Sequence, residues 1–158
     1  MQRRTTLSLE QALQKARHYC GYQERSHREV QEKLYSFGLR KKDVEQAVAT
    51  LIEENYLNEE RFAIQYAGGH FRLKHWGRVR IRYELKQKQV SDYCIKKALA
   101  TIDDEDYGRS LARLAGEKAA TLAGETNPWV RKQKLQEYLL RKGYEADLIN
   151  SYIATWPH

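Results

Sequence analysis

The sequence predicts an all-α protein made of three tandem three-helix repeats stacked into an elongated, curved molecule. Three observations carry this reading. First, Leu34-Tyr35-Ser36-Phe37-Gly38-Leu39 returns 51 residues on as Leu85-Lys86-Gln87-Lys88-Gln89-Val90, and 105 residues on as Leu139-Leu140-Arg141-Lys142-Gly143-Tyr144. At those offsets the apolar set Val30, Leu34, Leu39, Val44, Val48 and Leu51 becomes Ile81, Leu85, Val90, Ile95, Leu99 and Ile102, and then Leu135, Leu139, Tyr144, Ile149, Ile153 and Trp156. A period near fifty residues marks a repeat architecture, in which function lies on an extended surface and not in one pocket. Second, the apolar residues of each copy recur four apart, as in Val30 and Leu34 or Val44 and Val48, which is the stripe of a helix and not the alternation of a strand. Third, 31% of the residues are charged and the mean hydropathy is −0.82, a polar balance that favours much surface over little core.

Each helix has its own start or stop signal. Ser8-Leu9-Glu10-Gln11 and Ser26-His27-Arg28-Glu29 have the capping-box form and open helices at about 8–21 and 26–37, the second stopped by Gly38. The Val44 and Val48 stripe gives a helix at about 41–54. Asn58 before Glu59 and Glu60 caps one at about 58–73. Gly68-Gly69 and Gly77 weaken the pattern around His70–Trp76 and predict a bend or joint before the next helix, at about 77–88. Ser91 caps a helix at about 91–101, and a further one is expected at about 105–122. Ala123–Asn127 reads as a loop, Asn127-Pro128 starts a helix at about 128–142 that Gly143 ends, and the last runs over about 145–155. The repeats are expected at 1–55, 56–104 and 105–158.

Charge is unevenly placed. The formal net charge is +7, and over residues 71–99 nine basic residues oppose only Glu84 and Asp92, so that segment holds the excess. Arg72, Lys74, Arg78, Arg80, Arg82, Lys86 and Lys88 belong to it, with Trp76 interleaved. Lys74, Arg78, Arg82 and Lys86 recur every four residues as one stripe beside Ile81 and Leu85. A charge run is ordinarily a solvated helix face, but one with so few acids nearby points to a polyanion or an acidic protein surface. Trp76 could stack on a base or fill a joint between bundles; both readings stay open. Arg131, Lys132 and Lys134, with Arg141 and Lys142, form a smaller basic cluster, and Asp103–Asp106 an acidic break read as capping charge.

The sequence carries no constellation for catalysis. There is no glycine-rich phosphate loop, serine elbow or HExxH, so an enzyme is not expected and no cofactor is implied. The histidines have no ligand spacing, and Cys20 and Cys94 are expected as buried, idle thiols. No apolar run is long enough to span a membrane and no signal peptide is apparent, so a cytoplasmic protein is expected.

Four segments carry a resemblance to a known family. Arg25–Leu34 is similar to an RSxxE(L/V)xxKL opening, Tyr56-Leu57-Asn58-Glu59-Glu60-Arg61-Phe62-Ala63 to a YLNDxRFA signature, Gly77–Leu85 to a GxxRIxxEL helix, and Lys134–Tyr144 to a closing KLxxYLxRKGF. Together they resemble the RecX family, the regulators of the bacterial recombinase RecA. Glu59 replaces the usual aspartate, and Gln89 stands where a glycine is usual, which questions that turn. The resemblance implies a non-enzymatic, usually negative modulator that lies in the groove of the RecA–DNA filament and affects its ATP hydrolysis, strand exchange and extension. It implies RecA as partner, with direct contact to single- or double-stranded DNA left open; a monomer is expected. On charge placement the expected contact residues are those of the Arg78–Lys86 helix first and Arg131, Lys132 and Lys134 second. A general nucleic-acid-binding helical module and a structural scaffold are the alternatives.

Overall fold

In the computed structural model, which describes residues 6–155, the regular structure consists of nine α-helices. They are α1 (Leu9–Tyr22), α2 (His27–Ser36), α3 (Lys41–Glu53), α4 (Glu59–Lys74), α5 (Arg78–Gln87), α6 (Asp92–Ala100), α7 (Asp104–Thr121), α8 (Pro128–Lys142) and α9 (Ala146–Thr155). The caps are those the sequence offers. Ser8 accepts from the Gln11 amide while the Gln11 side chain returns to the Ser8 amide, a complete capping box. Ser26, fully buried, accepts from the Glu29 amide, but the Glu29 side chain reaches Lys88 instead, so this box is half made. Asn58, Ser91, Asp103 and Asn127 cap α4, α6, α7 and α8 in the same way.

The repeated turn is one motif used three times. Gly38 and Gly143 have φ of 88° and 99°, and Gln89, at the equivalent place, has φ of 63°. The Gln89 amide donates to the Lys86 carbonyl and the Val90 amide to the Leu85 carbonyl, as Gly143 and Tyr144 do to Leu140 and Leu139. Gln89 therefore adopts the left-handed turn that glycine makes without strain. The equivalent apolar positions are buried in every copy, with two exceptions: Ile153 is half-buried, and Trp156 lies outside the described residues.

The joint expected before α5 falls at His75 and not at the paired glycines: α4 runs through Gly68 and Gly69 to Lys74, and the Arg72 guanidinium lies against Gly68, where a Cβ would come within 2.8 Å of it. The helix stops at His75, whose φ is 59°, with its amide and that of Trp76 returned to the Phe71 and His70 carbonyls.

The chain divides into two compact units, Met1–Gln65 with Leu85–Lys97, and Tyr66–Glu84 with Ala98–His158. In the first, α1, α2 and α3 pack around Leu13, Val30, Leu34, Val44 and Leu51. In the second, α7, α8 and α9 bury Leu111, Leu135, Leu139 and Ile149, with Tyr107 and Tyr144 packed at a ring separation of 5.0 Å.

Candidate functional site

The second unit joins the start of α5 to the end of α8. Gly77 and Val79 donate their amides to the carbonyls of Lys142 and Gly143 at 2.8 and 2.9 Å, and the Arg78 amide goes to the Tyr107 hydroxyl at 2.9 Å. The first amides of one helix are thus satisfied by the last carbonyls of another, positive end to negative end. Only glycines allow this approach. A Cβ on Gly77 would lie 2.5 Å from the Tyr144 amide nitrogen, and one on Gly143 would lie 2.7 Å from the Arg80 nitrogen.

Beside this contact two basic side chains, Arg80 and Lys142, have carbonyls and not carboxylates as partners. Arg80 points Nη1 at the Arg141 carbonyl at 3.5 Å, and Lys142 points Nζ at the Lys74 carbonyl at 3.4 Å. His75 meets Arg113 at 2.9 Å. The dipoles of the α4 and α8 C-termini favour these cations without cancelling their charge.

The equivalent helix ends also meet in the first unit, but through side chains and with an acid among them. There Arg28 donates to the Gln87 carbonyl at 2.9 Å, and Gln87 is the repeat equivalent of Arg141. Glu29 neutralises Lys88 at 3.4 Å. The equivalents of Glu29 and Lys88 are Arg80 and Lys142. An acid–base pair at the α2–α5 joint has become two cations at the α5–α8 joint.

The other expected residues sort by environment. Arg72, Lys74 and Arg82 are exposed and form no ion pair among the described residues, although Lys74 lies 5.3 Å from the Trp76 ring centroid. Trp76 is 8% exposed, packed against His70 and capped by the Arg80 guanidinium at 4.3 Å, so the reading of it as a presented aromatic is corrected: it is core. Arg78 stacks on Tyr107 at 3.8 Å and pairs with Glu145 at 3.1 Å and Asp104 at 2.7 Å. Lys86 pairs with Asp92 at 3.5 Å, and Lys88 with Glu29. The strip that is poor in acids along the sequence is therefore partly paired in space. Arg131 and Lys132 are half-buried, and Lys134 reaches Glu125 at 3.8 Å.

Two features were missed by reading the sequence. The exposed aromatic on α5 is Tyr83, 61% accessible beside Arg82. Tyr107 hydrogen-bonds Glu145, and burial together with that bond pushes its phenol far above the usual range. The YLNxxRFA-like signature proves structural. Arg61 binds the carbonyls of Asn55 and Tyr56 at 3.0 and 3.3 Å and pairs with Glu24, while Phe62 and Ala63 are buried. Both cysteines are free and buried, and burial raises the Cys20 thiol above its usual range. Among the described residues there is no cluster of metal-ligating side chains, and no helix is long and apolar enough to cross a membrane.

Comparison with known proteins decides the family. Residues 58–99 match the model of the second three-helix domain of RecX, and residues 105–153 match that of the third. The chain belongs to the RecX family. It is 34% identical over 130 residues to the regulatory protein RecX of Clostridium perfringens, covering 82% of this chain and 60% of that one. It is 30% identical over 138 residues to the regulatory protein RecX of Prosthecochloris aestuarii, covering 87% of this chain and 88% of that one. The crystal structure of RecX from Lactobacillus salivarius superposes with a TM-score of 0.83 at 25% identity, over 92% of this chain and 94% of that one. A second crystal structure of regulatory protein RecX, at 21% identity, shares the fold with a TM-score of 0.84 over 92% of this chain and 71% of that one. The chain spans 60% of the length of the clostridial relative, and the RecX fold is all-α, with helices that fit three three-helix domains.

Proposed function

We propose that this protein is a non-enzymatic, negative regulator of the RecA recombinase in the bacterial cytoplasm, acting during DNA repair and recombination. It is read as three three-helix repeats, 1–55, 56–104 and 105–158, binding as a monomer in the groove of the RecA–DNA filament and slowing ATP hydrolysis, strand exchange and extension. The family supports the partner, and the α5–α8 joint supports the contact surface.

The observation that carries this reading is that Arg80 stands where the equivalent position of the first repeat has Glu29, while the lysine is kept, Lys142 for Lys88. Cations held by helix-end carbonyls keep their charge available to acidic protein side chains or DNA phosphates. We take Lys74, Arg80, Arg82, Arg141 and Lys142 as the principal contact residues, with Tyr83 as the exposed aromatic among them. Arg72 and the half-buried Arg131 and Lys132, with Lys134, are secondary. Arg78, Lys86 and Lys88 are engaged by acids and contribute less.

The deciding experiment mixes the protein with RecA, single-stranded DNA and ATP and follows hydrolysis. Hydrolysis that falls with protein concentration supports the reading; hydrolysis unchanged at saturating protein refutes it.

A further inference from the structure

We infer that the first unit carries a separate site for single-stranded nucleic acid on the outer face of α1, a site independent of the recombinase contact proposed above. Two open hollows adjoin there, of about 550 and 610 Å³, sharing a wall made by His18 and Tyr22, one turn apart on α1. The first is lined by Tyr19 and Phe37 together with Lys15, Arg25 and Lys33. The second is lined by Tyr22 and Tyr56.

The arrangement fits bases and phosphates. Arg25 sits 3.8 Å over the Tyr19 ring, Lys33 lies 5.3 and 5.8 Å from the Tyr19 and Phe37 ring centroids, and Lys15 lies 5.9 Å from that of Phe37. None of these three cations forms an ion pair among the described residues, and no carboxylate lines either hollow. Arg17 is excluded from the count because Glu54 holds it at 2.8 and 2.9 Å, an interaction that keeps the Glu54 carboxyl below its usual range. Tyr22 is 80% accessible, so its ring has an open face for stacking.

The lining decides among occupants. It contains no Leu, Ile, Val or Met, the side chains that an amphipathic partner helix would need. Exposed rings beside unpaired cations are the elements of a sequence-tolerant single-strand platform, and a duplex would hide the base faces the rings require. Two hollows in line suit a strand better than one nucleotide.

The test is fluorescence anisotropy of a labelled twenty-nucleotide oligo(dT) with the full chain and no recombinase present. Three phosphate-facing cations predict a log–log salt slope of about −2 from that face. Tyr22→Ala should weaken binding about five- to a hundredfold. Lys15→Ala with Lys33→Ala should flatten the slope by about 1.4, and all variants should keep the parent's circular dichroism. In the unaltered protein, photocrosslinking with 5-iododeoxyuridine oligonucleotides should map to residues between Gln14 and Phe37. Absent binding, unchanged affinity in both variants, crosslinks confined to the α5–α8 joint, or equal competition by a mononucleotide would each overturn the inference. Because RecA is absent, a failed hydrolysis assay leaves this result standing, and the reverse also holds.

Discussion

Gly77 and Gly143 meet backbone to backbone, and the start of α5 is docked onto the end of α8 through amides that donate to the Lys142 and Gly143 carbonyls. The contact leaves no room for a side chain at either position. Gly77→Ala or Gly143→Ala is expected to destabilise the protein by about 1–3 kcal/mol, because backbone and not a flexible side chain would have to move. Gly143 bears the added cost of its positive φ. Gly116→Ala, on an exposed turn of α7 with nothing within 4 Å of a Cβ, should instead stabilise by roughly 0.5–1 kcal/mol. Urea denaturation of the three variants checks the opposite signs.

Alkaline stability should be set by buried tyrosines. Burial and the hydrogen bond to Glu145 raise the Tyr107 phenol, and burial raises those of Tyr144 and Tyr19. Each folded pKa exceeds the unfolded value near 10, so the unfolded chain loses protons first. Stability is then fully present below about pH 10 and falls above it, by about 1.4 kcal/mol per pH unit for each tyrosine that cannot ionise while folded. Absorbance at 295 nm followed with circular dichroism tests this: the last tyrosinates should appear together with loss of helicity. Complete ionisation of all eleven tyrosines with helicity intact would refute it.

The fold was legible because its signals are local. Caps at Ser8, Ser26, Asn58, Ser91 and Asn127, and the stripe spacing in each copy, depend on neighbours within a turn or two of helix. The site was legible only in part. Charge density along the sequence located the basic strip, but Asp104 and Glu145 reach Arg78 from 26 and 67 residues away, and no periodicity reports such pairings. Trp76 was ambiguous for the same reason, since its burial is decided by His70, Arg80 and the chain reversal at His75. The exchange of Glu29 for Arg80 was visible in the repeat register, yet it acquired meaning only when both positions were found at equivalent joints.

Gln89 offers a test of the repeated turn. Its φ of 63° places an L-residue where the other two copies use glycine, with the same pair of cap hydrogen bonds as at Gly143. Gln89→Gly is expected to stabilise the protein by roughly 0.5–1 kcal/mol, the relief of left-handed strain exceeding the entropy added to the unfolded chain. A lower urea midpoint in the variant would mean that the Gln89 side chain contributes more than the strain costs.

The joint itself suggests how to separate stability from function. Arg78→Glu would set a carboxylate against Glu145 and remove the stack on Tyr107, so it should cost about 2–4 kcal/mol and lose activity through misfolding. Arg80→Glu is a different kind of change. It places at residue 80 the acid that its repeat equivalent Glu29 supplies at the α2–α5 contact, where Glu29 pairs with Lys88, the repeat equivalent of Lys142. Its structural cost should be the lost cation–π contact with Trp76 and the lost hydrogen bond to the Arg141 carbonyl, together about 1–2 kcal/mol. Inhibition of RecA-catalysed ATP hydrolysis should nevertheless fall at least tenfold in potency, because one charge of the proposed contact surface is reversed. Urea denaturation and the hydrolysis assay, run on both variants, distinguish the cases. A stable Arg80→Glu protein with unaltered inhibition would place the recombinase contact elsewhere on the molecule.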